Sequence, residues 1–151
     1  MSEKPKIVYV LVFLWLALSA IFILWGWYSL SFILKIQSPG WEKWLEELTP
    51  QVHLGYLIST VVWFMFSALF ILFAYVTFKK DHWVWTTGLI ISTIFLVVFG
   101  LMLGAFMVNA VVYLDWFSVA GLITVVLTFI IDIGIVFFLT RPDVKLYFGM
   151  T

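Results

Sequence analysis

Apolar positions along this chain fall into long unbroken runs, and polar positions are confined to the short stretches between them. Four runs stand out, at about 7–34, 52–78, 83–113 and 116–140. The first carries no charge from Ile7 to Leu34, and the fourth carries one, Asp132. Each exceeds the roughly 20 residues that a helix needs to cross a hydrocarbon core. None has the alternating segments of about ten residues that mark a barrel strand. In lipid every backbone N–H and C=O needs an internal partner, so runs of this kind predict transmembrane helices. The first run is also too long for a signal-peptide core of roughly 7–15 residues.

The connections predict how the helices meet. Lys79-Lys80-Asp81-His82 joins the second and third runs, and Leu114-Asp115 the third and fourth. Such tight links make sequential helices antiparallel neighbours. Only the stretch between the first two runs has room for structure. Ser38 is a natural N-cap and Pro39 a natural first helical residue. Trp41, Trp44, Leu45 and Leu48 share one helical face, and Glu42, Lys43, Glu46 and Glu47 the other. This predicts a short amphipathic helix over about 39–48, lying in the membrane interface.

Composition agrees. Hydrophobic residues are 65% of the chain and charged residues 11%, against about 25% charged in soluble domains. A soluble fold of this size cannot hide that much apolar surface, which excludes soluble enzymes and nucleic-acid binders. The formal net charge is zero, and there is no cysteine for thiolate metal sites or disulfides. Basic residues sort by side. Lys4, Lys6, Lys79, Lys80, Arg141 and Lys145 share one side of a four-span layout, leaving Lys35 and Lys43 on the other. The expected fold is therefore an all-α, single-domain four-helix transmembrane bundle over 1–151. Both termini are expected in the cytoplasm of a cell-membrane protein, with the 39–48 helix outside.

Few residues carry candidate chemistry. Asp132 lies eight residues before Thr140, about 12 Å into its helix. No Lys or Arg inside a run can pair with it, so it is expected to be neutral. Ala120, Thr124, Thr128 and Asp132 recur every four residues and should face the bundle interior, with Ser92 and Thr93 at similar depth on the third helix. These residues suit either a proton or cation relay or a neutral interhelical hydrogen bond. His53 and His82 are separated by roughly 43 Å of helix, too far to share a haem or a metal ion. Each is expected to be a solvated or hydrogen-bonded interfacial histidine. His53, Tyr56, Asn109, Tyr113 and Asp115 gather at the outer end, either as a small polar site or as interfacial anchors and caps. Gly100 and Gly104, with Ala105 beside them, form a G-x-x-x-G pair for close helix packing. No cofactor motif is present.

Arg141-Pro142-Asp143-Val144-Lys145-Leu146-Tyr147-Phe148 resembles the tail of small, uncharacterised four-span integral membrane proteins of archaea and bacteria. The Lys79–Trp85 turn is similar to the basic-aromatic loop that opens their third span. The resemblance implies the four-span layout and brings no activity. In this reading Pro142 stops the last helix, Arg141 and Lys145 meet anionic headgroups, and Tyr147 and Phe148 return to the interface. Vitamin K epoxide reductase relatives, tetraspanins and claudins need cysteines that are missing here. Small multidrug exporters carry an acid in the first span, where this chain has none. The functional expectation is a non-catalytic membrane subunit or scaffold acting through helix contacts. The alternatives are a small oligomeric transporter or channel using Asp132, and lipid or small-molecule binding at the outer face. Membrane lipids are the expected partners, with a second copy or another membrane protein, and no nucleic acid.

Overall fold

Residues 6–36, 50–113 and 116–150 are described by the computed structural model of the chain, and every regular element among them is a helix. In chain order these are α1 (Lys6–Ile36), α2 (Pro50–Lys79), α3 (His82–Tyr113), α4 (Trp116–Thr140) and the short α5 (Pro142–Tyr147). The first four are long and apolar enough to cross a membrane. They fit a multi-pass helical membrane protein, as the hydrophobic runs predict. The surface helix expected over 39–48 lies outside the described residues, as do the side chains of 35–36, 50–53, 106, 109–113 and 116–118.

The chain divides into two compact units, one of 1–18 with 71–151 and one of 19–70. In the first, α3 and α4 pack along one another. Their register is antiparallel: Trp85 Nε1 donates to the Leu139 carbonyl at 2.7 Å, and Phe129 covers Gly100 further along. Buried positions recur at helical spacing. Leu11, Trp15 and Leu18 lie on α1, Val84 and Ser92 on α3, and Val125, Thr128, Asp132, Ile135 and Leu139 on α4. The outward positions are also large and apolar, among them Phe13, Ile90, Leu101 and Ile130. Both faces suit a helix that meets protein on one side and lipid on the other.

Pro142 does not leave an extended tail. It ends α4 and then opens α5, after Arg141 turns the chain with an extended φ of −67° and ψ of 141°. Proline is as well suited to begin a helix as to stop one, because its missing N–H is needed in neither place. The end of α5 is a Schellman closure, with Met150 N–H bonded to the Lys145 carbonyl at 2.9 Å and Gly149 N–H to Leu146 at 3.0 Å. Gly149 takes the left-handed conformation, φ +72°, and a Cβ there would come within 2.7 Å of the His82 ring. Only glycine meets both conditions. Val144 and Phe148 are fully buried, so Phe148 is a core residue rather than the interfacial aromatic the sequence suggests.

The second unit pairs Ser19–Ile36 of α1 with residues 50–70 of α2. Phe22 stacks on Trp63 and on Phe70, with ring centroids 5.3 and 5.4 Å away. Ser19 and Ser67 share a hydroxyl–hydroxyl hydrogen bond of 2.9 Å, and Ser19 Oγ also approaches the Ser67 carbonyl at 3.1 Å.

Candidate functional site: a buried carboxyl in the helical interior

Hydroxyls on these helices are mostly satisfied by their own backbone. Thr60, Thr77, Thr93, Thr124 and Thr128 each donate to the carbonyl four residues back, at 2.6–2.9 Å. This is how a threonine sits in an apolar helix without needing a neighbour. Asp132 makes no such bond. It is completely buried, and both carboxyl oxygens lack a hydrogen-bond partner among the described residues. The Ser92 hydroxyl, on the packed partner helix α3, is in the same condition.

The surroundings follow from the helix register. Thr128, one turn from Asp132 on α4, is buried, and its hydroxyl hydrogen is committed to the Thr124 carbonyl, leaving lone pairs that can only accept. Gly134 lies beneath Leu14 of α1, with 3.4 Å from a Cβ placed there to Leu14 Cδ1. Gly88, one turn from Ser92, faces the Trp15 ring and Leu139. Trp15 in turn meets Phe73 edge-on at 5.0 Å. Asp132 and Ser92 are themselves fully buried on these helices. A buried polar group left unsatisfied costs about 1–3 kcal/mol, and more if charged. A carboxyl there is expensive, which makes Asp132 the candidate site among the described residues.

The other expected site residues are placed as follows. Thr93 is exposed, about 100° around the helix from buried Ser92, with its hydroxyl on the Leu89 carbonyl. Tyr56 is half-buried and stacks on Phe32 at 4.2 Å, a packing role. His53 and Asn109 fall on α2 and α3 with side chains outside the described residues, and Asp115 lies outside them altogether. Gly100 packs against Phe129, while nothing among the described residues lies within 4 Å of the Cβ position at Gly104. No group of three or more His, Cys, Asp or Glu able to hold a metal ion occurs among the described residues.

A second constellation joins the end of α2, the start of α3 and α5. The His82 ring Nδ1–H donates to the Phe148 carbonyl, and Tyr147 Oη–H donates to the Thr77 carbonyl at 3.2 Å. Burial, and then the nearby Tyr9 phenol, push the Tyr147 pKa up, so its hydroxyl stays a donor. Sequence reasoning leaves this cap out. The available signal was the spacing of Val144 and Phe148 behind Pro142, one apolar face of a single helical turn. Against models of known protein families, curated proteins and solved structures, the chain matches none.

Proposed function

We propose that this chain is a small membrane transporter that takes up and releases a proton at Asp132. The observation that carries the reading is the complete burial of that carboxyl with neither oxygen hydrogen-bonded among the described residues. A residue kept only to join two helices would make its bond, as Ser19 and Ser67 do. A carboxyl that makes none is costly to the fold, which favours a group retained for exchange. Ser92, buried on the helix that packs against α4, is the candidate to receive or relay the proton. Both termini lie in the cytoplasm in this reading, because six of the basic residues fall on that side, and the 39–48 helix lies on the outer surface of a cell membrane. The tail's likeness to small four-span membrane proteins is consistent with this layout and assigns no substrate.

The test is proton flux in liposomes carrying the purified chain and a trapped pH indicator, with a potential imposed across the membrane. Wild type should acidify the lumen. Asp132→Asn, similar in size but unable to titrate, should fold and show no flux. A wild type as tight as empty liposomes, or a variant that conducts equally well, would overturn the proposal. A topology reporter after Thr151 should read cytoplasmic and one near Glu46 external.

A second reading, a non-catalytic subunit or scaffold, is favoured by Gly104. It is exposed on α3 beside exposed Ala105, with no described residue within 4 Å of where a Cβ would stand. Small residues at such spacing allow another helix to approach closely. Oligomer formation lost in Gly104→Leu, with no flux in wild type, would support that reading in place of the first.

A further inference from the structure

Four cations crowd the end of the first unit at which α2 and α4 finish: Lys79, Lys80, Arg141 and Lys145. Each stands over an aromatic ring. The distances to the centroids are 4.6 Å for Lys79 on Tyr75, 5.5 Å for Lys80 on Tyr147, 5.6 Å for Arg141 on Phe137 and 5.9 Å for Lys145 on Trp85. Two of these contacts cross between segments. Lys80, in the turn before α3, reaches a ring next to Phe148, and Lys145 on α5 reaches a ring on α3. An aromatic face attracts a cation without consuming its N–H donors. Lys79 also hydrogen-bonds the Tyr75 side chain, whereas Lys80, Arg141 and Lys145 hold their places over rings and keep N–H donors for an oxyanion. The two carboxylates of the cap, Asp81 and Asp143, are outnumbered two to one.

The backbone of Lys80 supplies an independent observation. Lys80 sits just past the end of α2 in the left-handed conformation, φ +64°, with its N–H on the Thr77 carbonyl at 3.3 Å. Glycine is the residue that this position favours, and Gly149 fills the equivalent place after α5. A lysine here carries a backbone cost that glycine would not, and it places a cation against the Tyr147 ring beside α5. Leu146, meanwhile, is 66% exposed on the outward face of α5, an apolar group beside the cations. Cations at the ends of span-length helices, with an apolar side chain next to them, match a headgroup and the top of its acyl chains.

We propose that this cap is a binding site for the phosphodiester of an anionic phospholipid, held chiefly by Lys80, Arg141 and Lys145. Its occupant bridges the α2–α3 turn and α5 and so locks the cap. This inference is independent of proton transport at Asp132.

The test uses the full chain in nanodiscs of phosphatidylcholine alone or with phosphatidylglycerol, read by thermal unfolding and by native mass spectrometry of retained lipid. Phosphatidylglycerol should raise the melting temperature and be retained, with both effects weakened by salt. Lys145→Gln should weaken its apparent affinity about fivefold, the worth of one cation near a charged membrane surface. Lys80→Gly should weaken it similarly while raising stability in phosphatidylcholine, since it relaxes the turn and cannot fail for backbone reasons. Equal stability in the two lipids, or unchanged retention in both variants, would overturn the proposal. So would inorganic phosphate reproducing the full stabilisation, which would make the ligand a soluble anion.

Discussion

The two compact units treat buried polar groups in opposite ways. In the unit of residues 19–70, Ser19 and Ser67 face one another and satisfy each other, and the aromatic stack of Phe22, Trp63 and Phe70 supplies the rest of the packing. In the unit of 1–18 and 71–151, hydrogen bonds between segments gather at the cap, through His82, Trp85 and Tyr147, while Asp132 and Ser92 in the interior have none among the described residues. A satisfied polar pair between apolar helices is a fastening. An unsatisfied carboxyl is a weakness in stability, and the cap lies in the same unit that contains it.

Four substitutions probe that contrast. The largest effect is expected from Phe148→Ala, which empties a fully buried site under the cap. It should cost about 3–5 kcal/mol of unfolding free energy in detergent; a loss below about 1 kcal/mol would mean that the cap does not hold the unit. Asp132→Leu comes next, with the opposite sign. Removing an unsatisfied buried carboxyl should stabilise the chain by about 1–3 kcal/mol. Destabilisation would show that the carboxyl does make an interhelical bond, and would erase the contrast.

Smaller effects follow. Tyr147→Phe removes the hydroxyl on the Thr77 carbonyl and should cost about 1 kcal/mol at neutral pH. Because the folded state holds the Tyr147 pKa above its ordinary value, this contribution is fully present below about pH 10 and is lost as pH rises through the higher folded value. The gap between wild type and Tyr147→Phe, followed by unfolding across that range, should therefore close from about pH 10 upward; a gap that closes well below it would contradict the assignment. Ser19→Ala should cost least, about 0.6 kcal/mol, the average for polar contacts between membrane helices. A double-mutant cycle with Ser67→Ala isolates the pair, and zero coupling would remove the fastening from the comparison.

The four long helices were legible in the sequence to within two residues at each end. The runs at about 7–34, 52–78, 83–113 and 116–140 appear as Lys6–Ile36, Pro50–Lys79, His82–Tyr113 and Trp116–Thr140. Unbroken apolar length is enough for that, because a chain in lipid must close its backbone hydrogen bonds within each span. Asp132 was legible too, as the one charge inside a run. Which face each helix turns inward was legible only in part: on α4 Thr128 and Asp132 are buried as expected, but Ala120, expected on the same face, is exposed. Lipid is as apolar as a protein interior, so inward and outward positions carry the same kinds of residue and the helices lack a strong amphipathic stripe. Hence Ser92 and Thr93, adjacent and chemically alike, separate into buried and exposed only when α3 packs on α4. In the same way Gly100 meets Phe129 while Gly104 meets nothing within 4 Å among the described residues. The cap was beyond local reasoning for a different cause. Pro142 is compatible with both an ending and a beginning, and Phe148 becomes a core residue in a cap where the Nδ1–H of His82, 66 positions earlier, donates to its carbonyl. Contacts of that separation are decided by the packed chain, since no local preference distinguishes a tail that folds back from one that lies along the membrane surface.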